Sequence, residues 1–194
     1  MLKGKYYIAG RVGGMPFMTL QYILAQNNIK EDELTLDTSV AFANMQSAFI
    51  GGTGDLVSLF EPNASQVEKE GYGYVVASLG ELGGVIPYTS YSAKKSFINN
   101  NPELIKKFTR AIQKGLDFVN NNDSKTIAKI IQPEFPDTKL EDLEKAINQY
   151  KSVDTWPTTT EFTEDSFNHM QDIMINAKEL KEKVNYNDLI YKIK

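Results

Sequence analysis

The sequence predicts an α/β fold with a mostly parallel five-stranded sheet, followed by a C-terminal helical segment. Before about residue 100, apolar β-rich runs alternate with runs of helical period, which is typical of β-α-β crossovers. The runs Leu-Val-Ser-Leu-Phe at 56–60 and Tyr-Val-Val-Ala-Ser-Leu at 74–79 are almost wholly apolar, as expected of strands buried on both faces. From residue 102 onward, nearly every segment has helical period.

Helical spacing and glycines define the elements of the first part of the chain. Phe17, Leu20 and Leu24 share one helix face. Gly51-Gly52 ends the second helix, because glycine readily adopts the positive φ of a helix C-cap, and Gly71 closes the third. The expected order is strand 6–10, helix 16–27, strand 34–37, helix 40–50, strand 56–60, helix 62–70, strand 74–79 and strand 88–93.

The remainder of the chain carries helical stripes and helix caps. The segment Thr138-Lys139-Leu140-Glu141 is a capping box that opens a helix reaching residue 150, and Thr163 caps a further helix. We therefore divide the chain into an α/β domain at 1–92 and a helical region at 93–194. The other helices are expected at 102–120, 124–132 and 186–191.

Composition excludes several classes of function. The 194 residues include no cysteine, which removes disulfides, cysteine-based metal sites and thiol catalysis. His169 is the single histidine, so we expect neither a bound metal nor a cofactor, and its position within a helix favours a structural role over a catalytic one. A net charge of −4 argues against nucleic-acid partners, which require a basic face. No apolar run is long enough to span a bilayer.

Ligands of parallel sheets bind at the carboxyl ends of the strands, where helix N-termini present N–H groups. The first such turn is Arg11-Val12-Gly13-Gly14-Met15-Pro16. Pro16 suits the first helical position, and Met15 has no side-chain oxygen that could cap the helix. The N–H groups of Phe17 and Met18 are therefore candidates to bind a ligand oxygen, with Arg11 adding a charge. A water-capped turn with Arg11 in a surface ion pair explains the same residues.

Two further turns and one tyrosine complete the candidate binding residues. Thr38 and Ser39 follow the second strand, where either is also an adequate helix N-cap. Glu61 follows the third strand, where its carboxylate fits an amine or hydroxyl ligand, or stabilises the dipole of the next helix. Tyr88 lies after a flexible glycine-containing segment and suits either an aromatic cleft or core packing.

Three segments together resemble one known family. They are Gly-Arg-Val-Gly-Gly-Met-Pro-x-x-Thr-Leu-x-Tyr at 10–22, Ala-Phe-Ile-Gly-Gly-Thr-Gly-Asp-Leu-Val-Ser-Leu-Phe-Glu-Pro-Asn-Ala at 48–64, and the Asn-Pro helix start within 93–108. This pattern is similar to the second lobe of ABC-transporter solute-binding proteins. The branch that it resembles handles nitrate, sulfonates, taurine and thiamine-pyrimidine precursors and is called NMT1/THI5-like.

The resemblance implies a type II periplasmic-binding-protein fold, in which two α/β lobes hold a small ligand in the cleft between them. On this chain the second-lobe wall of the cleft would comprise Gly13, Gly14, Met15 and Pro16, then Thr38 and Ser39, then Glu61, with Tyr88 near the return crossover. By this resemblance the chain would begin where the second lobe begins and would lack the N-terminal lobe. Its helices after Pro102 would normally pack on the first lobe, so we expect them to fold back or to be buried in a homodimer.

The resemblance also implies a function. We expect a non-catalytic substrate-binding component of an ABC importer that delivers a small polar, anionic or heteroaromatic solute to a permease. The full-length form would be an extracytoplasmic lipoprotein. One alternative is a thiamine-pyrimidine-precursor enzyme of the same fold, although those enzymes rely on a cysteine-rich motif and a histidine. The other is a ligand-sensing regulatory domain.

Overall fold

A computed structural model describes residues 2–192. They form two compact units, one comprising the chain up to Ile86 with Asn168–Lys183, the other Pro87–Phe167 with the residues from Val184 onward. In chain order the elements are β1 (Tyr6–Ile8), α1 (Met15–Gln26), β2 (Thr35–Asp37), α2 (Met45–Ile50), β3 (Leu56–Val57), α3 (Asn63–Lys69), α4 (Leu79–Gly83), α5 (Lys95–Asn100), α6 (Pro102–Asn121), α7 (Ser124–Ile131), α8 (Leu140–Ser152), α9 (Glu164–Asn176) and α10 (Tyr186–Leu189).

The sheet of the first unit is parallel and has the strand order β2-β1-β3. Ile8 is opposite Asp37 of β2 and Val57 of β3, so the three strands end at the same level. One further hydrogen bond joins β1 to each neighbour beyond this level. The Ala9 amide donates to the Asp37 carbonyl at 2.9 Å, and the Ser58 amide donates to the Ile8 carbonyl at 3.1 Å. The loops after all three strands therefore start from one edge of the sheet.

The prediction of five strands is wrong for the last two. Within residues 2–192 the sheet has three strands, and neither 74–79 nor 88–93 is extended in a ladder. Tyr74 and Val76 are 87% and 77% exposed, and the Val75 amide donates to the Glu68 carboxylate at 3.2 Å instead of to a neighbouring strand. Apolar residues favour a strand only when another strand pairs with it and a face is buried, and both conditions are missing here.

The core of the first unit lies between the sheet and α1. Phe17, Leu20 and Leu24 are buried together with Tyr7 and Leu34, as the predicted helix face requires. Helix α1 begins one residue earlier than predicted, at Met15, and ends one residue earlier, at Gln26. Ile8, at the centre of the sheet, has no exposed surface.

Helix boundaries confirm part of the capping analysis. Gly51 is the C-cap of α2, and the Thr163 hydroxyl accepts a hydrogen bond from the Ser166 amide at 3.3 Å. The predicted second helix is split, because a 3-10 turn at Phe42–Asn44 precedes α2. The prediction of a capping box at Thr138 is wrong, because Lys139 is the N-cap of α8 and its side chain makes no capping hydrogen bond.

The second unit is helical. Its buried cluster joins α7 to α8 through Ile127, Ala128, Leu143 and Ile147. Helix α6 follows the prediction closely but has no buried residue. Among residues 2–192, no helix combines the length and the apolar character that crossing a bilayer requires. That the helices after Pro102 fold back or are buried in a homodimer stays a prediction.

Candidate functional site

The candidate site is the edge of the sheet where the three strands end, which we call the carboxyl edge. It comprises the turn after β1 at 9–14, the turn after β2 at 38–41 and the turn after β3 at 58–62. Parallel strands ending at one level bring these three turns to the same edge, each followed by a helix. Eight of the nine predicted binding residues lie in these turns or in the first residues of α1, and all eight belong to the first unit.

The turn after β1 depends on two glycines in the left-handed region. Gly10 has φ +89° and Gly13 has φ +71°, a conformation that a side chain would strain. Gly14, and not Met15, is the N-cap of α1, so Pro16 is the second helical residue and its predicted first position is wrong. The predicted absence of a side-chain cap is confirmed. The Met18 amide, however, donates to the Gly14 carbonyl at 3.0 Å, so the prediction that it lacks an internal partner is wrong.

Two charged side chains flank this turn. A Cβ atom on Gly14 would lie 3.2 Å from Cγ of Arg11, so the exposed Arg11 side chain runs beside the start of α1. A Cβ atom on Gly13 would lie 3.5 Å from Oε1 of Glu179, which places a carboxylate against the same turn. Sequence analysis missed Glu179, because it follows α9, far along the chain, and only the return of 168–183 to the first unit brings it here.

The turn after β2 is organised by a carboxylate. Asp37 Oδ1 accepts hydrogen bonds from the Ser39 amide at 2.8 Å and the Ser39 hydroxyl at 2.7 Å. Asp37 Oδ2 accepts one from the Tyr6 hydroxyl at 2.7 Å. The hydrogen bond from the Ser39 hydroxyl lowers the pKa of Asp37 most, followed by the one from the Tyr6 hydroxyl. The same carboxylate raises the pKa of Tyr6. Ser39 is thus held by its own turn, and Thr38 is half-buried beside it.

We expect Asp37→Asn to lower the free energy of unfolding at pH 7, with the difference from wild type shrinking as the pH falls below about 4. The folded-state pKa of Asp37 is depressed, so its stabilisation is present above the ordinary pKa of 3.8 and is lost as the pH falls through the folded value. Urea titrations at pH 7 and pH 3 measure this. The exposed control Asp137→Asn should leave the free energy nearly unchanged at pH 7; an equal loss in both variants would contradict the assignment.

The turn after β3 carries the other predicted carboxylate. Glu61 Oε2 accepts a hydrogen bond from the Ser65 amide at 3.1 Å, so it caps the first turn of α3. Glu61 is partly exposed and lies at the carboxyl edge, as predicted. Before it, the Ser58 hydroxyl contacts the Tyr7 hydroxyl at 3.0 Å, and burial raises the pKa of Tyr7. This turn therefore holds a carboxylate whose Oε2 stabilises the start of α3.

An aromatic pair at this edge was missed by the sequence analysis. Phe42 and Phe60 meet edge to face, with ring centroids 5.6 Å apart and an angle of 61° between the ring planes. Phe42 is 63% exposed and Phe60 is 38% exposed. The available signal was position, because each phenylalanine stands in the loop that follows an outer strand. The sequence predicts a helix over 40–50 and a strand over 56–60, which would place neither phenylalanine in a binding turn.

Tyr88 and His169 are not part of these three turns. Tyr88 belongs to the second unit and is 57% exposed. Nε2 of His169 contacts the Gly83 carbonyl at 2.6 Å, and the His169 ring packs on Tyr22 with centroids 5.5 Å apart. Both contacts join α9 to other parts of the first unit, which is the structural role favoured by the sequence. Residues 2–192 contain no group of three or more acidic or histidine side chains arranged to hold a metal.

A solvent-open cavity of about 570 Å³ lies elsewhere in the first unit. It is lined by the C-terminal half of α1 and the loop after it, including Gln21, Asn28 and Lys30, and by Asn176 of α9. The loop leads into the amino end of β2, so this cavity is separate from the carboxyl edge. None of the predicted binding residues lines it.

Turns that converge on the carboxyl edge of a parallel sheet characterise the α/β proteins that bind small ligands there. The sequence profile of the NMT1/THI5-like family matches residues 2–126, and the chain belongs to this family. It is 39% identical over 192 residues to the protein named "Putative binding protein YtlA" of Bacillus subtilis strain 168. That alignment covers 98% of this chain and 58% of the relative, so the chain spans little more than half of the relative's length.

A solved structure supports the fold independently. A protein structure from Bordetella bronchiseptica RB50 superimposes with a TM-score of 0.65 at 19% identity. The match covers 90% of this chain and 57% of that one. At this identity the similarity concerns the fold alone.

Proposed function

We propose that the chain is the substrate-binding component of an ABC import system, or a part of it, and that it delivers a small polar, anionic or heteroaromatic solute to a permease. The observation that carries the proposal is the convergence of three strand-to-helix turns on one edge, in a member of a family with a relative named as a binding protein. In this proposal the edge forms one wall of a cleft between two lobes, and the full-length protein is an extracytoplasmic lipoprotein.

Each candidate residue of the carboxyl edge has a defined role in this proposal. The start of α1 has no side-chain cap, so the backbone N–H groups of Met15 and Phe17 are available to a ligand oxygen in this proposal. Gly13 and Gly14 permit its close approach, and Pro16, which has no N–H group, lines it. Arg11 adds a charge-assisted hydrogen bond, since its side chain runs beside that helix start. Thr38 and Ser39 supply hydroxyl groups and Glu61 an acceptor.

We further propose that the chain binds without catalysing a reaction. The sequence has no cysteine, so it offers no thiol nucleophile, and the His169 imidazole is engaged with the Gly83 carbonyl and packed on Tyr22. Asp37 and Glu61 hold backbone amides of their own turns, which supports a structural use of both carboxylates at this edge.

Thermal unfolding with a panel of taurine, nitrate and an aminopyrimidine tests the binding proposal. A ligand at one hundred times its Kd stabilises the folded state by about 2.7 kcal/mol, which raises Tm by several degrees. We expect one panel member to raise Tm of the wild type and to raise it less in Arg11→Met and Glu61→Gln.

The matched control is Arg110→Met, which removes the other arginine of the chain from the exposed side of α6. It should keep the full ligand-induced rise in Tm. The proposal fails if no panel member changes Tm, or if the two arginine variants respond alike.

A further inference from the structure

Helix α6 of the second unit has apolar side chains exposed along one side. We call them the outer stripe, which comprises Leu104, Phe108, Ala111 and Phe118. At about 100° per residue, the four side chains fall within an arc of about 80° around the helix. Leu104, Phe108 and Phe118 are 52%, 44% and 36% exposed, and Ala111 is exposed as well. The stripe is therefore a continuous apolar surface on the outside of α6.

The outer stripe is distinct from the side of α6 that faces its own unit. That inner side carries half-buried apolar residues, namely Ile105, Ile112 and Leu116. They are centred about 100° further round the helix than the outer stripe. A Cβ atom on Gly115, in the middle of the stripe, would meet no described heavy atom within 4 Å beyond its chain neighbours and its own helix backbone. Packing within the unit thus accounts for the inner side and leaves the outer stripe exposed.

A tyrosine ring enlarges the exposed apolar surface. Tyr91 packs edge to face on Phe108, with ring centroids 4.9 Å apart and an angle of 85° between the ring planes. Tyr91 is still 74% exposed after this contact, so the pair is not part of a closed core. A tyrosine has an apolar body and a polar hydroxyl, and such rings are enriched where one end is apolar and the other is wet.

A cationic flank borders the outer stripe. It comprises Lys107, Arg110 and Lys114. All three side chains are exposed, and helical spacing places them within an arc of about 60° that begins next to Phe118. Apolar and cationic groups therefore lie side by side along most of the length of α6.

The positive charge is local to this part of the chain. Residues 82–122 include six basic and two acidic residues, whereas the whole chain has 21 basic and 25 acidic residues. Both acids are engaged within α6, because Glu103 pairs with Lys106 at 3.3 Å and Asp117 accepts a hydrogen bond from Gln113 at 2.8 Å. An anionic partner is thus attracted to α6, although the net charge of the chain is −4.

We propose that the outer stripe and the cationic flank bind the surface of an anionic phospholipid bilayer. Helices that lie in the plane of a bilayer have this arrangement, with apolar side chains inserted at the boundary between headgroups and acyl chains. The ammonium groups of Lys107 and Lys114 reach the lipid phosphates while their methylene stems cover apolar surface. Tyr91 places its ring at the level of the headgroups.

Charge favours this partner over a second copy of the chain. A two-fold dimer on the outer stripe would bring an identical cationic flank to the same interface, and like charges oppose that association. An anionic bilayer provides the opposite charge and requires no groove of complementary shape. The lipid surface lies in the second unit and the carboxyl edge in the first, so the lipid and solute proposals are tested separately.

Sedimentation with vesicles tests the lipid proposal. The vesicles contain phosphatidylcholine alone or with about 30% phosphatidylglycerol, which supplies the anionic headgroups. We expect the wild-type chain to bind the anionic vesicles about tenfold more tightly at low salt and to be released by about 0.5 M NaCl. Lys107→Gln with Lys114→Gln should weaken binding about tenfold, and so should Leu104→Gln with Phe108→Gln. Circular dichroism checks that both double variants fold.

The matched control is Lys125→Gln with Lys129→Gln, which removes the same charge from exposed positions of α7 and should keep binding within about twofold. Equal sedimentation of the wild type with both kinds of vesicle, or with neither, overturns the proposal without any variant. An equal loss in the α7 control also overturns it, because net charge alone would then govern binding. If the chain dimerises and Leu104→Gln with Phe108→Gln makes it monomeric, with no lipid binding in either form, the stripe joins two copies and the proposal is wrong.

Discussion

Replacing Ile8 with alanine is expected to lower the free energy of unfolding by about 3–4 kcal/mol. Ile8 has no exposed surface and lies in the central strand, opposite residues of both neighbouring strands. Truncation removes buried methyl and methylene groups and leaves a cavity between the strand and the elements packed on it. Urea denaturation followed by circular dichroism measures the change, which should appear in the midpoint with little change in slope.

Two companion variants separate burial from position in the chain. Ile8→Val removes one methylene and should cost about 1 kcal/mol. Val12→Ala, in the turn directly after the same strand, removes a side chain that is 61% exposed and should change the free energy by less than about 0.5 kcal/mol. A loss at Val12 as large as that at Ile8 would contradict the difference in burial between the two side chains.

Replacing Gly83 with alanine is expected to lower the free energy of unfolding by about 2–3 kcal/mol. The new Cβ would lie 2.5 Å from Cγ2 of Thr19 and 3.2 Å from Cδ1 of Ile86, so the neighbours must move. Thr19 has little freedom to do so, because it is buried and its hydroxyl donates to the Met15 carbonyl at 2.8 Å. Thermal and urea unfolding both measure this loss.

The matched control for Gly83 is Gly115→Ala in α6. Apart from its chain neighbours and the backbone of its own helix, no described heavy atom lies within 4 Å of the new Cβ, so the substitution meets no steric barrier and adds helix propensity. It should stabilise the chain by up to about 1 kcal/mol, the opposite sign to Gly83→Ala. Destabilisation of similar size in both variants would contradict the packing of α4 on α1.

Local signals in the sequence predicted the helices and turns whose packing partners or capping residues lie nearby in the chain. The apolar stripe of α1, the glycine after α2 and the cap at Thr163 depend on residues within a turn or two, so the sequence sufficed. The strand predicted at 74–79 does not form, because a strand needs a neighbouring strand to pair with and the sequence does not show whether one is present. The Thr138 capping box failed because α8 begins two residues beyond it.

The candidate site was predictable in outline and not in its contacts. The fold rule that ligands meet the carboxyl ends of parallel strands located eight of the nine candidate residues. It could not show that Ser39 and Glu61 are used by their own turns. Nor could it reveal Glu179 or the meeting of Phe42 with Phe60, since those contacts depend on tertiary packing.

The return of 168–183 to the first unit governs when that unit can be completed during synthesis. His169 contacts Gly83 across 86 residues of chain, and the fully buried Ile173 belongs to the same returning segment. A ribosome must therefore translate the whole stretch 87–167 before the first unit receives its last helix. Until then Gly83 and Tyr22 lack the contacts that His169 of α9 makes with them, and the unit matures after most of the chain has emerged.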